Sequence, residues 1–411
     1  MTKSSKKSSR SQSEAPKCCD PSKDISTVDC YHGLLPRADI VNMLKENGDY
    51  LVRSTEPVVG ESRKYVVSCM KDQNLEEAGI KHLILHNINS KWIGGKKSFE
   101  TIFDLVSYYH GKDIPLASAS SEVYLKRAIK RQSWELNPND IRLTKKLGEG
   151  NFGEVHEGIF MLQNMKIPVA VKLAKLEQLN KEQINEIMTE ARLMRDLMHE
   201  NVVDFYGVCA VQEPLMLVMG LATHGSLEKY LKENDVRLST KDEIALQAGW
   251  GVEYLHNIGI LHRDLACRNC LYGDGKVKIA DFGLSTYGAS YQMDPHKAAP
   301  IKALSPEAIS TLIYTTKSEV WAYGVMCWQI YMNAEEPYTG MTHKQYVPMI
   351  KEGHKLSFPG DANIHIAKLI NDRCWAFSPN DRLDMRLLVK HMHRLVPHAR
   401  LPKAVERPKY Q

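Results

Sequence analysis

An octet near the middle of the chain holds side chains that could do chemistry: His262-Arg263-Asp264-Leu265-Ala266-Cys267-Arg268-Asn269. An apolar pair precedes the octet and a strand-like segment follows it, so we expect a loop between a helix and a hairpin. Twelve residues after Asn269 comes Asp281-Phe282-Gly283. Asp264 could accept a proton from a substrate hydroxyl, while Asn269 and Asp281 could hold Mg²⁺ against nucleotide phosphates. The order and separations of these residues therefore predict phosphoryl transfer.

Length and composition are those of an ordinary globular protein. The chain has 411 residues, of which 43% are hydrophobic and 25% charged, and this length predicts about two to three domains. No apolar run approaches the roughly 18 residues of a membrane span. The first residues lack the apolar core of a signal peptide, and Thr2 stands where myristoylation needs glycine. We therefore expect a cytoplasmic protein, and its net charge of +5 does not indicate nucleic-acid binding.

Residues 1–28 are rich in Ser and Lys and poor in apolar side chains, which predicts a disordered basic tail. A basic cluster within the tail could contact anionic lipid at the inner face of the plasma membrane. This cluster consists of Lys3, Lys6, Lys7 and Arg10. A solvated leader is the favoured interpretation.

Residues 30–118 alternate short apolar strands with two helical patterns. The strands are predicted at 50–53, 64–70 and 81–86, and the helices near 41–44 and at 99–110. This pattern, with Arg53 at the end of Tyr50-Leu51-Val52-Arg53, resembles an SH2 domain. The resemblance implies a central antiparallel sheet flanked by two helices, and binding of tyrosine-phosphorylated proteins.

Arg53 is the predicted centre of a phosphotyrosine site. An Arg side chain on a rigid strand can hold two phosphate oxygens at once, which Lys cannot do. The hydroxyls of Ser54 and Thr55 would donate further hydrogen bonds. By the SH2 resemblance, Arg37 and His82 make secondary contacts with the phosphotyrosine.

The next boundaries follow from composition. Residues 119–138 lie in a stretch with Ser, Ala and Pro, which predicts a linker of about 20 residues. A second folded unit is predicted at 141–397 and a C-terminal tail at 398–411.

A glycine-rich segment opens the second unit and fits Gly-x-Gly-x-x-Gly-x-Val, in which backbone amides point at phosphates. The predicted nucleotide contacts are Leu147, Gly148, Glu149, Gly150, Asn151, Phe152, Gly153 and Val155. Val169-Ala170-Val171-Lys172 follows as a strand that ends in a Lys. Together with the octet and Asp281, these segments resemble a protein kinase. The resemblance implies an α+β chain, with the SH2 domain followed by a bilobal kinase fold, and ATP as the phosphate donor.

The kinase resemblance also implies roles for other residues. Lys172 would hold the ATP phosphates and pair with a Glu on the next helix. Glu190 is the preferred partner and Glu186 the alternative. Asp264 would be the catalytic base. The adenine is expected to lie against Ala170, Met219 and Leu221.

Two tyrosines lie on the loop beyond Asp281. Arg263, directly before the catalytic Asp, is placed to pair with a phosphate on this loop and so to order it. By the resemblance, Tyr291 is the preferred regulatory phosphosite and Tyr287 is the alternative.

The octet also carries information on the substrate. Ala266 stands where serine/threonine kinases usually have a Lys, and Arg268 fits the tyrosine-kinase form Leu-Ala-Ala-Arg-Asn. Pro300-Ile301-Lys302 matches the tyrosine-kinase segment that supports the substrate. The order of tail, SH2 domain, linker and kinase resembles the Fes/Fer group of cytoplasmic tyrosine kinases, without their long N-terminal membrane-bending region.

This resemblance implies a non-receptor tyrosine kinase that its SH2 domain recruits to phosphotyrosine proteins in intracellular signalling. Several positions depart from the pattern, and two of them bear on activity. Ala303 replaces a Trp, and Glu319 replaces an Asp that braces the catalytic loop, a brace that the extra methylene is expected to loosen. These departures leave an alternative open, a catalytically weak or silent SH2 adaptor. Glu307 and Arg382 are expected to form a buried structural pair.

Overall fold

The computed structural model describes residues 25–57, 60–117, 122–150, 153–174, 179–297 and 299–405. The predicted tail lies outside these residues up to position 24, and so do Asn151 and Phe152 of the glycine-rich segment. Residues 25–28 belong to the first folded unit, because Ile25–Thr27 forms a 3-10 turn and Val28 is buried in that unit's core. Among the described residues, no helix has the length and apolar character needed to cross a bilayer.

The SH2-like unit covers residues 25–129. Its helices are α1 (Arg37–Ile40) and α2 (Ile102–Tyr109). Its main sheet contains β1 (Asp49–Thr55), β2 (Lys64–Met70) and β3 (Ile80–Ile84). Shorter strands follow: β4 (His86–Ile88), β5 (Lys91–Gly94), β6 (Lys97–Phe99), β7 (Leu116–Ala117), β8 (Glu122–Val123) and β9 (Arg127–Ala128).

Strand β1 is one of the two inner strands of the four-stranded sheet, whose order is β3-β2-β1-β9. Successive side chains of a strand point to opposite faces. Tyr50 and Val52 accordingly join the hydrophobic cluster that contains α2, whereas Leu51 joins the cluster that contains Ile40 of α1. Arg53 follows the parity of Leu51, so β1 delivers it to the α1 face.

The described part of the stretch predicted as a linker, residues 122–138, packs on both units. Leu125 is buried in the SH2-like core, and β9 pairs in parallel with β1. The Arg127 guanidinium donates to the Asp49 carboxylate at 2.7 Å. Further along, the Leu136 amide donates to the Val208 carbonyl at 2.8 Å. Strands of two residues leave no periodic pattern in a sequence, which is why composition alone suggested a linker.

The kinase-like unit begins with an antiparallel sheet of order β10-β11-β12-β14-β13. Its strands are β10 (Ile141–Gly150), β11 (Gly153–Leu162), β12 (Met165–Ala174), β13 (Phe205–Cys209) and β14 (Met216–Gly220). Helix α3 (Lys181–Met194) lies between β12 and β13 in the chain. Asn180 and Gln183 form a capping box at its start, and its buried residues recur at helical spacing, so α3 packs one face inward.

A mainly helical lobe follows. Its helices are α4 (Leu227–Glu233), α5 (Leu238–Asn257), α6 (Pro306–Thr311), α7 (Thr316–Tyr331), α8 (His343–Lys351), α9 (Ile364–Leu369) and α10 (Met385–Leu395). Its strands are β15 (Ile260–Leu261), β16 (Cys270–Gly273), β17 (Lys276–Ile279), β18 (Thr286–Tyr287), β19 (Ser290–Gln292) and β20 (Ile313–Thr315). Helix α7 is buried along most of its length, and the predicted octet lies between β15 and β16.

The two units share an interface centred on α1 and α3. The Asp39 carboxylate, buried on α1, accepts hydrogen bonds from Arg192 at 2.9 Å and from Arg195 at 2.8 Å. Gly33 has a φ of +58°, and a Cβ there would lie 2.0 Å from the Ala210 carbonyl oxygen. Because only glycine fits that approach, the Leu34 amide can donate to the same carbonyl at 2.8 Å.

Candidate active site and phosphotyrosine site

The predicted partners Lys172 and Glu190 are brought together across the small lobe. Lys172 leaves β12 and donates to both Glu190 carboxylate oxygens, at 2.9 and 3.0 Å. Glu190 sits on the inner face of α3 and is 5% exposed, whereas the alternative partner Glu186 is exposed. Burial raises the pKa of the Glu190 carboxyl, which the Lys172 ammonium opposes, and the Asp281 carboxylate adds to the rise. The charges of Lys172 and Asp281 therefore both act on the Glu190 carboxyl.

The octet loop holds Asp264 between two partners. One carboxylate oxygen accepts from the Arg268 guanidinium, and the other accepts from Asn269 Nδ2 at 2.7 Å. Asn269 Nδ2 also donates to the Asp264 carbonyl at 2.8 Å. The loop thus fixes the carboxylate of the predicted base in one orientation.

Asn269 and Asp281 offer oxygen atoms that suit a hard divalent cation. The Asn269 amide nitrogen is engaged with Asp264, while its amide oxygen accepts no hydrogen bond from any described residue. Asp281 is exposed at a left-handed φ of 60°, and the next residue, Phe282, is buried against the His262 ring. Carboxylate and amide oxygens are ligands that Mg²⁺ accepts. These residues therefore fit the predicted ion.

Glu319 lies behind the octet and binds its backbone. Its fully buried carboxylate accepts from the amides of His262 at 3.1 Å and Arg263 at 2.6 Å. It also accepts from His256 Nε2 at 3.0 Å and from the Tyr314 hydroxyl at 3.4 Å. Burial alone would raise the pKa of the Glu319 carboxyl, but the bonds from His256 and the Arg263 amide hold it below its ordinary value. The longer side chain, which we expected to loosen the loop, keeps these bonds.

The predicted nucleotide contacts lie at the β10–β11 hairpin and the strands behind it. Gly150 pairs with Gly153 and Val155 with Lys172, while Ala170 pairs with Met219 on β14. Leu147 and Gly148 are on β10, and Leu221 directly follows β14. The Glu149 carboxylate accepts from Lys146 at 2.9 Å. Asn151 and Phe152 lie outside the described residues.

The loop after Asp281 places Tyr291 against Arg263. The Arg263 guanidinium lies 3.4 Å from the centre of the Tyr291 ring and donates to the Leu284 carbonyl at 2.7 Å. Tyr287 is 55% exposed, and its hydroxyl lies 3.5 Å from an Asp196 carboxylate oxygen at the end of α3. Tyr287 is thus exposed, whereas Tyr291 is half-buried beside Arg263.

A cavity of about 570 Å³ adjoins the catalytic loop. Ala266 and Arg268 line one side, and Pro300, Lys302 and Ala303 line another. The predicted pair behind this segment is formed, since Arg382 donates to both Glu307 oxygens at 2.7 and 2.8 Å. Burial alone would raise the pKa of the Glu307 carboxyl, but the bonds from Arg382 hold it below its ordinary value.

In the SH2-like unit, Arg53 is 2% exposed and points into a second cavity. Its Nε donates to Ser68 Oγ at 3.1 Å, and Ser68 Oγ lies 2.9 Å from His82 Nδ1. Burial lowers the pKa of Arg53 to about 10, with a contribution from Arg37, and so leaves it charged at neutral pH. Burial and the neighbouring Arg53 and Arg37 lower the pKa of His82 to about 3. His82 is therefore a neutral neighbour of a permanent cation.

This second cavity has a volume of about 600 Å³ and is lined by Arg37, Ser54 and Thr55 as well as Arg53. Four of the five predicted phosphotyrosine contacts therefore line one cavity. The fifth, His82, lies behind Arg53 and is connected to it through Ser68. Ser68 itself was not predicted from the sequence as part of this site. Its position opposite His82 in the β2–β3 register is the signal that could have revealed it.

Comparison with known proteins places both units in families. Residues 141–392 match the protein tyrosine and serine/threonine kinase family, and residues 30–109 match the SH2 domain family. Fer-related kinase 1 of Caenorhabditis elegans is 34% identical over 374 residues, which are 90% of this chain and 94% of that protein. The chain belongs to the Fer-related tyrosine kinases. The predicted family and the α+β order of SH2 domain and kinase fold are confirmed.

Other relatives are longer. Human tyrosine-protein kinase Fer is 32% identical over 375 residues, which cover 90% of this chain but 44% of that protein. The spermatocyte protein spe-8 of Caenorhabditis elegans is 34% identical over 324 residues, 77% of this chain and 61% of that protein. As a member of this family, the chain is a tyrosine kinase that uses ATP and a divalent metal ion.

His256 is a second residue of this kinase that sequence reasoning undervalued. It lies on the long helix α5, where a histidine in a helical pattern ordinarily indicates helix packing. Its bond to Glu319, however, makes it part of the support of the catalytic loop. A helical pattern shows which face is buried, but the carboxylate opposite it comes from α7, 63 residues away.

Proposed function

We propose that the kinase domain transfers the γ-phosphate of ATP to a tyrosine hydroxyl, with Asp264 as the catalytic base. The observation that carries this proposal is the orientation of the Asp264 carboxylate by Arg268 and Asn269, next to the cavity below Pro300. The phenol oxygen forms a bond to the γ-phosphorus as the bond from that phosphorus to the bridging oxygen of ADP breaks. The phenol proton passes to Asp264.

The other charged residues would position the nucleotide. Lys172, held by Glu190, would bind its phosphates, and the amides of the β10–β11 hairpin would approach them from above. Asn269 and Asp281 would hold Mg²⁺, which when bound neutralises charge on the phosphate oxygens. Ala170, Met219 and Leu221 would border the adenine. Phosphorylation of Tyr291 would give Arg263 a phosphate partner and so order the loop.

The SH2 domain would bind phosphotyrosine proteins through Arg53, with Ser54 and Thr55 as hydroxyl donors and Arg37 and His82 beside them. An Arg fork at the floor of a cavity suits a doubly charged phosphate. Because the stretch after residue 121 is docked on both domains, recruitment would place the kinase at a set distance from the bound protein rather than on a flexible tether.

We place the protein in the cytoplasm. Seven cysteines lie within the described residues, and all are buried free thiols, which is typical of a reducing compartment. Contact of the basic tail with anionic lipid stays a prediction, because the tail lies outside the described residues.

The proposed activity is tested by incubating the purified chain with Mg-ATP and identifying its phosphorylated residues by mass spectrometry. We expect phosphate on Tyr291 in the wild type and none in Asp264→Asn. Transfer to a synthetic tyrosine peptide should fall by about 10²- to 10⁴-fold in the variant, the usual contribution of a catalytic base. Absence of phosphate from both proteins and from the peptide would instead support the silent adaptor.

A further inference from the structure

The phosphotyrosine cavity is not confined to the SH2 domain. One wall consists of α1 and the end of β1, with Arg37, Arg53 and Thr55. The opposite wall is one side of α3 in the kinase domain, which contributes Lys181, Ile184, Asn185, Thr189 and Arg192. A phosphotyrosine held by Arg53 would therefore enter a space that the kinase domain helps to enclose.

The two domains are fastened together on either side of this cavity. On one side, Asp39 binds Arg192 and Arg195. On the other side, the Glu56 carboxylate accepts from the Lys181 amide at 3.1 Å, and Arg63 donates to the Leu179 carbonyl at 2.6 Å. These contacts hold the wall formed by α3 at a fixed distance from Arg53.

The cavity contains donors without an acceptor. Arg53 is 98% buried, yet its Nη2 donates to no described residue, since only Nε and Nη1 have partners. The Lys181 side chain is exposed at the cavity, and among the described residues no carboxylate lies within ion-pair distance of its ammonium. Arg192, in contrast, is neutralised by Asp39.

Two carboxylates, those of Glu56 and Glu77, also line the cavity and offset part of this positive charge. The Glu56 carboxylate accepts from the Lys181 amide, and the three cationic side chains outnumber the two carboxylates. Arg37, Arg53 and Lys181 thus face a space with room for a dianionic side chain, and a phosphotyrosine carries a charge of about −1.5 to −2 at neutral pH.

We propose that α3 forms part of the phosphotyrosine site, and that Lys181 is a kinase-domain contact that helps to determine affinity for the phosphopeptide. This inference rests on the proposed role of Arg53. The ligand is a phosphotyrosine peptide that touches both domains at once. Its affinity then depends on residues outside the SH2 domain.

The test measures binding of a degenerate phosphotyrosine peptide mixture to the full chain without nucleotide. Lys181→Glu should weaken binding by about tenfold, since it replaces an attraction to the phosphate by a repulsion. The matched control is Lys166→Glu, at an exposed lysine on β12, which changes the net charge equally and should alter binding less than about twofold. A second variant, Asn185→Arg, adds a cation to the same wall and should tighten binding by about threefold.

The outcomes separate this inference from the function on which it rests. If Arg53→Lys leaves binding unchanged, the phosphotyrosine role of Arg53 is wrong. If Arg53→Lys weakens binding while Lys181→Glu and Asn185→Arg both match Lys166→Glu, α3 is not part of the site. Inorganic phosphate and a phosphoserine mixture serve as further probes. Equal sensitivity of these probes to Lys181→Glu would reduce Lys181 to a general anion contact and overturn its assignment to phosphotyrosine.

Discussion

The phosphotyrosine site and the catalytic loop each depend on a buried charged side chain, but these two side chains relate to the ligand in different ways. Arg53 in the SH2 domain is 2% exposed and lines the cavity, and its Nη2 donates to no described residue. Glu319 in the kinase domain is 0% exposed, and its carboxylate binds the backbone of the catalytic loop. The groups proposed to meet the substrate, Asp264 and Asp281, lie in front of it and are more accessible.

The difference reflects what binding and catalysis require. A binding site can present a buried cation directly, because the arriving phosphate replaces the water that the cation lost on folding. In a catalytic site, metal, nucleotide and substrate must reach the charged side chains, so these side chains are accessible. The residues packed behind them keep them rigid. Removing Glu319 should therefore affect both folding and catalysis, whereas changing Arg53 should affect binding alone.

The largest effect is expected for Glu319→Ala. The change leaves the amides of His262 and Arg263 and the His256 ring without their acceptor. An unsatisfied buried donor costs about 1–3 kcal/mol, so we expect the free energy of unfolding to fall by about 2–4 kcal/mol and the rate of transfer to fall with it. Chemical denaturation and a peptide phosphorylation assay measure the two effects.

Glu319→Asp is the matched control, because it retains the carboxylate and removes one methylene. It should lose less stability than Glu319→Ala and retain activity. The pKa of Glu319 is held below its ordinary value, so its stabilising contribution is present above about pH 4.5 and is lost as the pH falls further. Equal stability of wild type and Glu319→Ala at neutral pH would show that the loop does not depend on this carboxylate.

The second effect is a loss of binding in Arg53→Lys. Lysine keeps the charge but cannot bind two phosphate oxygens at once, as the Arg guanidinium can. It also lacks the Nε that donates to Ser68. We expect phosphopeptide affinity to fall by about 30-fold, equivalent to about 2 kcal/mol. Phosphorylation of an unphosphorylated peptide should stay within about twofold of wild type. Arg37→Lys, on the exposed face of α1, is the control and should lose less affinity; a fall in basal activity would contradict the separation of the two sites.

Short linear motifs explain why much of both sites could be predicted from the sequence. Asp264, Asn269 and Asp281 are set by one loop and the hairpin after it, and Lys172 follows the apolar run of β12, so each has a local signal. Arg53 likewise follows the contiguous apolar residues of β1. Resemblance to the family was needed to choose Glu190 as the partner of Lys172, because no local pattern distinguishes it from Glu186.

Contacts between distant segments could not be predicted in this way. Asp39 and Arg192 are 153 residues apart, and each alone resembles an ordinary surface charge on a helix. The pairing of β9 with β1 depends on two residues after a polar stretch. Such contacts depend on which distant segments of the chain the fold brings together, and a periodic pattern does not carry that information.

A smaller effect is expected for Asp39→Asn, which tests whether the two sites communicate through α3. The amide keeps one acceptor but loses the attraction to Arg192 and Arg195, at a cost of about 1–3 kcal/mol. Since α3 carries Glu190, we expect faster amide exchange in this helix and a transfer rate about two- to fivefold lower. Asp113→Asn, at an exposed aspartate, is the matched control. Exchange and rates that equal this control would mean that the domains act independently.

The smallest effect concerns His82, which lies beside Arg53 but should not act as a pH switch. Burial and the two neighbouring arginines lower its pKa to about 3, so the unliganded ring stays neutral from pH 8 down to about pH 4. Because an unfolded histidine takes up its proton near pH 6.5, His82 contributes stability above that pH, and this contribution is lost as the pH falls from 6.5 towards 3. Phosphopeptide affinity should instead follow the second ionisation of the phosphate, near pH 6. Nuclear magnetic resonance of the His82 ring should show no titration between pH 5.5 and 8, and a midpoint near 6.5 would mean that the ring is solvated and that the buried charge of Arg53 does not govern its surroundings.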